Sequence, residues 1–186
     1  MNLILAVTGA SGAYAAKSLM KKSPWPVSLV ASDWGKDVYQ RECASFDDLA
    51  ADSVSVFSND DLAAAIASGS VPTVGMVVLP CSTNTLADVA TGSADTLITR
   101  AAHCHLKEGK KLVLCVRETP WTAIDFGNAE KVALAGATVM PLSPPFYMTT
   151  GRSPDEVTMS ELMDLFVDRI LSLLGHTPEK TWETYS

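Results

Sequence analysis

Five residues near the start of the chain, "TGASG" at 8–12, break an apolar run with two glycines and two hydroxyls. Gly9 and Gly12 let the backbone turn tightly, and a helix beginning at Gly12 aims unpaired amides at an anion. Ala10 keeps the turn small, and the Ser11 hydroxyl adds a donor. A plain strand-to-helix turn can carry the same letters, so both readings stand at this point. A second segment, "PCSTNT" at 80–85, opens another helix with Ser82, Thr83 and Thr85 beside Cys81 and Asn84. Those hydroxyls suit a second phosphate or a ring carbonyl, or simply cap the helix. At 117–120, "RETP" sets Arg117 beside Glu118 directly after the apolar run "LVLCV". Neighbours on an extended chain point to opposite faces, so one of the pair can reach a ligand phosphate while the other faces a reacting group.

Further cations and one phenol are spread along the chain. Arg100 and Lys107 are seven residues apart, two turns along one helix face, where solvated charge is the default reading. "SPPFYMTTGR" supplies Tyr147 and Arg152, and Arg169 follows inside an apolar helix. A phenol and a guanidinium make a phosphate clamp; the alternative is a tyrosine packed under a Pro-rich loop with a snorkelling arginine at its rim. His103 and His105, two apart, do not share a helix face, which argues against a metal pair. The four cysteines (Cys43, Cys81, Cys104, Cys115) form no Cys-x-x-Cys and read as reduced, buried thiols of a cytosolic protein.

The elements that must position these groups follow from the apolar pattern. Near-continuous apolar runs at 3–7, 27–31, 76–79, 112–116 and 138–140 predict strands buried on both faces, with a weaker edge strand at 53–57. Helices are expected at 12–22, 34–44, 60–67, 83–90, 95–107 and 123–135. A last helix carries Leu162, Met163, Phe166, Val167, Ile170, Leu171 and Leu174 on one stripe, with Thr158 and Glu161 as a capping box and Gly175 as its stop. Strand–helix alternation of this kind means an α/β fold with a doubly wound, mostly parallel sheet. Such sheets hold ligands at the carboxyl ends of their strands, where "TGASG", "ASDWG" (31–35), "PCSTNT" and "RETP" all fall. The 186 residues fit one domain, and the looser stretch at 141–156 reads as an active-site or interface loop. With 21 acids against 14 bases the formal charge is −7, which argues against nucleic acid or an anionic membrane as partner. The sequence shows neither a signal peptide nor an apolar stretch near the ~20 residues of a membrane span, so a soluble intracellular protein is expected.

Taken together, "TGASGAY", the block from Pro80 to Pro120, "FY" at 146–147 and "DRIL" at 168–171 resemble the UbiX-type flavin prenyltransferase family, from Leu3 to Leu174. The resemblance implies a Rossmann-like, three-layer flavoprotein fold, commonly a dodecamer, that binds FMN partly across subunit contacts. It also implies transfer of a dimethylallyl group from dimethylallyl phosphate to N5 and C6 of reduced FMN. The product, prenylated FMN, serves UbiD-type decarboxylases, and no metal is required. Carried over by motif, Gly9, Ala10, Ser11, Gly12, Ser32, Cys81, Ser82, Thr83, Asn84 and Arg117 would meet FMN. Lys107, Tyr147 and Arg169 would hold the allylic phosphate, Glu118 would move a proton as phosphate leaves, and Ser11 and Glu42 would neighbour the reacting centre. Trp182 would stand for the family's tail aromatic, with 175–186 at a subunit interface. The chain departs from the family at His103-Cys104-His105, at Trp121 and in an insertion over 148–158, which makes Arg152 a substitute for Arg169. Two other classes fit the same fold: an FMN-dependent decarboxylase of cysteine-type substrates, and a non-catalytic flavin-binding partner.

Overall fold

In the computed structural model, which describes residues 1–43 and 45–178, six strands form a single sheet in which every pairing is parallel. They are β1 (Asn2–Val7), β2 (Val27–Ala31), β3 (Ser55–Ser58), β4 (Thr73–Cys81), β5 (Leu112–Val116) and β6 (Thr138–Val139), in the order β3-β2-β1-β4-β5-β6. That is the Rossmann order, whose switch point falls between β1 and β4. The long apolar runs became the central strands because both their faces are covered. Alternation along β1 sends Leu3, Leu5 and Val7 into one core and Ile4 and Ala6 into the other. The two edges behave differently: β3 alternates half-buried and exposed residues, and β6 is two residues long.

The first core is closed by α1 (Tyr14–Lys22) and α7 (Met159–Leu174), with Tyr39 of α2 (Asp33–Glu42) and Leu49 of α3 (Phe46–Ala51). The second is closed by α4 (Thr83–Thr91), α5 (Leu97–Lys107) and α6 (Ala123–Leu134), through Leu86, Val89, Ile98, Ala101 and Val132. The result is three layers, α/β/α. Helices α1 and α7 are further pinned by hydrogen bonding between Ser18 and Asp164, and by Lys22 against the buried Asp168 carboxylate at 2.7 Å. Thr158 caps α7 through the Glu161 amide, but the return half of the expected box is absent because the Glu161 carboxylate turns to Arg152.

Three expectations need correcting. Residues 60–67 are not a helix: Asp61 holds the Ala63 amide in a local turn, and only Ala65–Ala67 winds into a 3-10 turn. Short polar side chains that bind nearby amides compete with helix formation. The predicted helix at 34–44 begins at Asp33, stops at Glu42, and is followed by the separate α3, capped by Ser45. Strand β4 is longer than expected and runs through Pro80 to Cys81. No helix among the described residues is long and apolar enough to cross a membrane.

Candidate functional site

The carboxyl ends of β1 and β4 part at the switch point, and the chain closes that gap with Thr8. Its hydroxyl donates to the Pro80 carbonyl (2.9 Å) and accepts from the Ser82 amide (2.8 Å). The neighbouring strand ends are tied in by backbone bonds, Ser32 N–H to Val7 O and Arg117 N–H to Cys81 O, both 3.0 Å. Gly9, Ser32, Ser82 and Arg117 therefore share one edge of the sheet.

Two cavities open there, one on each side of the α4 N-terminus, and Asn84 belongs to both walls. The first, about 410 Å³, is lined by Gly9, Ser32, Trp34, Ser82, Asp88 and Thr96 among others. Three of these are N-caps. Ser32 accepts from the Gly35 amide, Ser82 from Thr85 and Thr96 from Thr99, so the starts of α2, α4 and α5 converge on one space. Capping uses the third amide of each helix and leaves earlier ones. The Asp33 and Trp34 amides of α2, and those of Thr83 and Asn84 in α4, have no acceptor among the described residues. At α5 the vacancy is filled by Asn59, whose backbone and side-chain oxygens take the Leu97 and Ile98 amides. Helix N-termini of this kind carry partial positive charge and free donors, a natural seat for a phosphate monoester. Hydroxyls of Thr8, Thr85 and Thr99 add polar lining suited to a polyol. Among the described residues the one ionisable group in this wall is Asp88, whose carboxyl is pushed above its usual range by burial and, secondarily, by Asp95.

Close approach at this edge depends on two glycines. A β-carbon on Gly9 would stand 2.6 Å from the Trp34 β-carbon, and one on Gly35 would stand 2.3 Å from the Val7 carbonyl oxygen. Gly9 was legible as a turn residue. Gly35 was missed as a packing residue, although a glycine in the first turn of a helix is itself a signal of close backbone approach.

The second cavity, about 470 Å³, lies between α4, α6 and the "RETP" loop, and is lined by Thr83, Asn84, Glu118, Asp125 and Asn128 among others. Glu118 is exposed and accepts from the Thr119 amide at 2.9 Å, and Trp121 donates its indole N–H to the Glu118 carbonyl, also at 2.9 Å. Asp125 is held below the usual carboxylate range by hydrogen bonds from the Thr122 hydroxyl and amide.

The remaining candidates distribute as follows. The Ala10 amide turns back to the Thr8 carbonyl, while Ser11 and Gly12 are half-buried in the following bend, Gly12 with φ at 95°. The α1 amides expected to face an outside anion do not: Glu42, at the end of α2, accepts from both Gly12 N and Ala13 N at 2.8 Å. Cys81 is fully buried with its thiol pushed up by burial, so its side chain belongs to the core and only its backbone reaches the site. Arg117 is half-buried at the same sheet edge, held there by its backbone bond to Cys81, and lines neither cavity among the described residues. Tyr147 is exposed on a 3-10 turn, Phe146–Thr149. Arg152 is not available as a substitute clamp, because its guanidinium binds the Glu161 carboxylate and the Glu156 carbonyl.

Lys107 and Arg169 are not brought to either cavity within one chain. Lys107 is the last residue of α5, eight beyond the cavity residue Thr99, or about 12 Å along the helix, and it pairs with Glu108 at 3.6 Å. Arg169 follows Asp168, whose partner Lys22 ends α1 a helix length from the "TGASG" turn. Both cations are exposed. Trp182 lies outside the described residues. His103 is exposed, while His105 is buried and bonded to Ala101 O (2.8 Å) and Thr73 Oγ1 (3.0 Å), so the two rings do face apart.

The Flavoprotein family model matches residues 1–172. Flavin prenyltransferase UbiX of Deinococcus radiodurans is 42% identical over 177 residues, covering 93% of this chain and 88% of that protein. Flavin prenyltransferase UbiX of Methanocaldococcus jannaschii is 34% identical over 189 residues, covering 99% and 100%. Among solved structures, AnUbiX (PadA1) in complex with FMN and dimethylallyl pyrophosphate superposes with a TM-score of 0.87 at 35% identity, covering 95% of this chain and 93% of that one. A dodecameric FMN-dependent UbiX-like decarboxylase from Escherichia coli O157:H7 gives 0.85 at 35% identity, covering 97% of both. The hydroxyl-capped helix starts and the "RETP" loop thus sit in a fold shared almost end to end with these proteins, and the chain belongs to the Flavoprotein family, as a UbiX-type flavin prenyltransferase.

Proposed function

We propose that the chain joins a dimethylallyl group, taken from dimethylallyl phosphate, to N5 and C6 of reduced FMN, releasing phosphate and prenylated FMN. The observation that carries this reading is the pair of cavities on either side of Asn84, one built from helix N-termini and hydroxyls, the other holding Glu118. Reduced FMN supplies the nucleophilic ring atoms. The chain's own residues bind, orient and exchange protons. Ser32, Ser82 and the first amides of α2 and α4 hold the phosphate end, Gly9 and Ala10 leave room for the ligand, and Arg117 offers a cation beside it. Ser11 and Glu42 stand at the bend facing this edge. Glu118 donates a proton to the departing phosphate oxygen, which lowers the charge that the leaving group must carry.

Leaving-group binding needs cations, and Lys107 and Arg169 are remote from the cavities of their own chain. Supply of Lys107, Arg169, Tyr147 and the Trp182 tail by neighbouring copies in a homo-oligomer, a dodecamer as in the E. coli neighbour, would remove that distance. Large apolar side chains left exposed on α6, namely Ile124, Phe126 and Leu134, favour such an assembly. A UbiD-type decarboxylase would receive the product, in the cytoplasm.

The test is anaerobic incubation of the purified protein with reduced FMN and dimethylallyl phosphate. Release of inorganic phosphate with a changed flavin spectrum is expected for the wild type. Glu118→Gln should bind FMN with unchanged affinity and turn over at least ~100-fold more slowly. An intact ester after prolonged incubation, or full turnover by the variant, would sink the assignment.

A further inference from the structure

Asn128 is the one residue in the walls of the second cavity that its own chain buries and leaves without a hydrogen bond. It is 8% exposed, on the face of α6 turned to α4, and its carboxamide has no hydrogen-bond partner among the described residues. A buried carboxamide with two donors and two acceptor sites unmet is unfavourable unless something else completes it. Glu118, Asp125, Thr83 and Asn84 share the cavity with it, and among the described residues no basic side chain lines the space. An anion seated against Asn128 would find no cation among the described residues. A neutral group that presents a donor flanked by acceptors would meet complementary partners instead.

We propose that Asn128 is a flavin-positioning residue, pairing its carboxamide with the N3–H and an adjacent carbonyl on the pyrimidine edge of the ring. This rests on the flavin reading above, and it adds an orientation to it. The phosphate end lies in the first cavity on the helix N-termini, and the chain crosses the tip of α4 at Asn84. The imide edge then enters the second cavity. The tip of one helix is about 10–12 Å across with its side chains, a span that an extended flavin mononucleotide covers. A carboxamide and an imide form two parallel hydrogen bonds in one plane, so the contact fixes the ring's rotation as well as its position. That rotation decides which edge of the ring faces Glu118.

The test uses oxidised flavins, with binding read by fluorescence quenching and the ring environment by its visible absorption. Wild type should bind FMN roughly ten-fold or more tightly than N3-methyl-FMN, because the methyl group removes the donor. Asn128→Leu, close to isosteric and apolar, should weaken FMN and riboflavin by the same factor, roughly ten-fold. It should leave N3-methyl-FMN binding unchanged and shift the flavin absorption maximum. The thermal midpoint of the ligand-free variant should equal or exceed that of wild type, since an orphaned buried amide has been removed.

Equal affinity of the wild-type protein for FMN and N3-methyl-FMN overturns the inference, whether or not the variant folds. Unchanged FMN affinity in a folded Asn128→Leu protein overturns it too. So does an assembly that falls apart on size-exclusion with the substitution, which assigns Asn128 to a contact between copies. Failure of the wild type to bind any flavin is a different result: it removes the flavin reading itself, and this inference with it.

Discussion

Replacing Gly35 by alanine should separate α2 from the sheet edge that carries the site. The added β-carbon would lie 2.3 Å from the Val7 carbonyl oxygen, 2.8 Å from its carbon and 3.1 Å from the Thr8 α-carbon. All three are backbone atoms of a central strand, so no side chain can rotate away to make room. The Val7 oxygen also accepts the Ser32 amide at 3.0 Å, so the same displacement weakens that bond. Overpacking against backbone costs about 1–3 kcal/mol and the strained hydrogen bond about 1 kcal/mol. Alanine's better helix propensity returns up to about 1 kcal/mol. With the full helix-propensity return, the net expectation is a loss of about 1–3 kcal/mol, or roughly 2–12 °C in Tm for a chain of this length.

Gly127 provides the control, because it also sits inside a helix, α6, and an added β-carbon there meets nothing within 4 Å. Gly127→Ala should be neutral or stabilising by up to about 1 kcal/mol. Urea unfolding of the three proteins, fitted with a common m-value, gives the comparison, and FMN titration reports the accompanying loss at the cavity where Ser32 and Trp34 stand. A Gly35→Ala midpoint equal to that of wild type would refute the close-approach argument.

Three further outcomes follow from particular residues. Burial, with Lys110 adding to it, holds His105 below its ordinary pKa, so the folded chain keeps it neutral. Its contribution to stability is complete above about pH 6.5 and is lost as pH falls from there toward the lowered folded value. Urea midpoints compared at about pH 7.5 and 5.5 should fall more for wild type than for His105→Gln, and an equal fall contradicts the assignment. Asp88 behaves in the opposite sense: its raised folded pKa means that stability present in acid is lost as pH rises through that value. Asp88→Asn should therefore unfold at a higher urea concentration at neutral pH and bind FMN at least as tightly as wild type, and weaker binding would show that the carboxylate serves the ligand. Phe166, 1% exposed between α7 and the sheet, should cost about 3–5 kcal/mol on truncation to alanine, and a thermal midpoint within about 2 °C of wild type would mean that the first core tolerates the void.

The parts of the fold that were legible are those where burial on both faces leaves a continuous apolar record. Strands β1, β2 and β5 were placed to within a residue of their observed limits for that reason. Caps were legible at Ser82 and Thr158, where the capping side chain directly precedes the helix, while those at Ser32, Thr96 and Thr122 were not read. Contacts that join distant segments left no local pattern. Glu42 is thirty residues from the Gly12 amide it caps, and Asn59 is 39 from the Ile98 amide, so neither could be assigned from neighbours in sequence. Helix-face arithmetic correctly grouped Arg100 and Lys107, but it carries no information about which end of α5 approaches the ligand. Asn128 gave no sign at all, since a lone asparagine in a helix means nothing until its burial and missing partners are seen.

The acidic balance of the chain bears on the site in a way that composition alone obscures. A formal charge of −7 would ordinarily disfavour two phosphorylated ligands side by side. Among the described residues neither cavity wall contains a lysine or an arginine, and each contains at least one carboxyl group. Anion binding in the first cavity must therefore come from helix amides, whose partial charge is local and does not depend on the overall sign. Arg117, half-buried just after β5 and next to Glu118, lines neither wall, and a single guanidinium there is a modest counterweight to two phosphates. The exposed cations that remain, Lys107 and Arg169 among them, sit a helix length away on surfaces a second copy can reach. Among the described residues, the two walls therefore offer helix amides for an anion but no basic side chain for a leaving phosphate. If Lys107 and Arg169 come from neighbouring copies, as proposed above, FMN binding and phosphate release should respond differently to dissociation of the assembly, and both assays run on the dissociated protein would separate them.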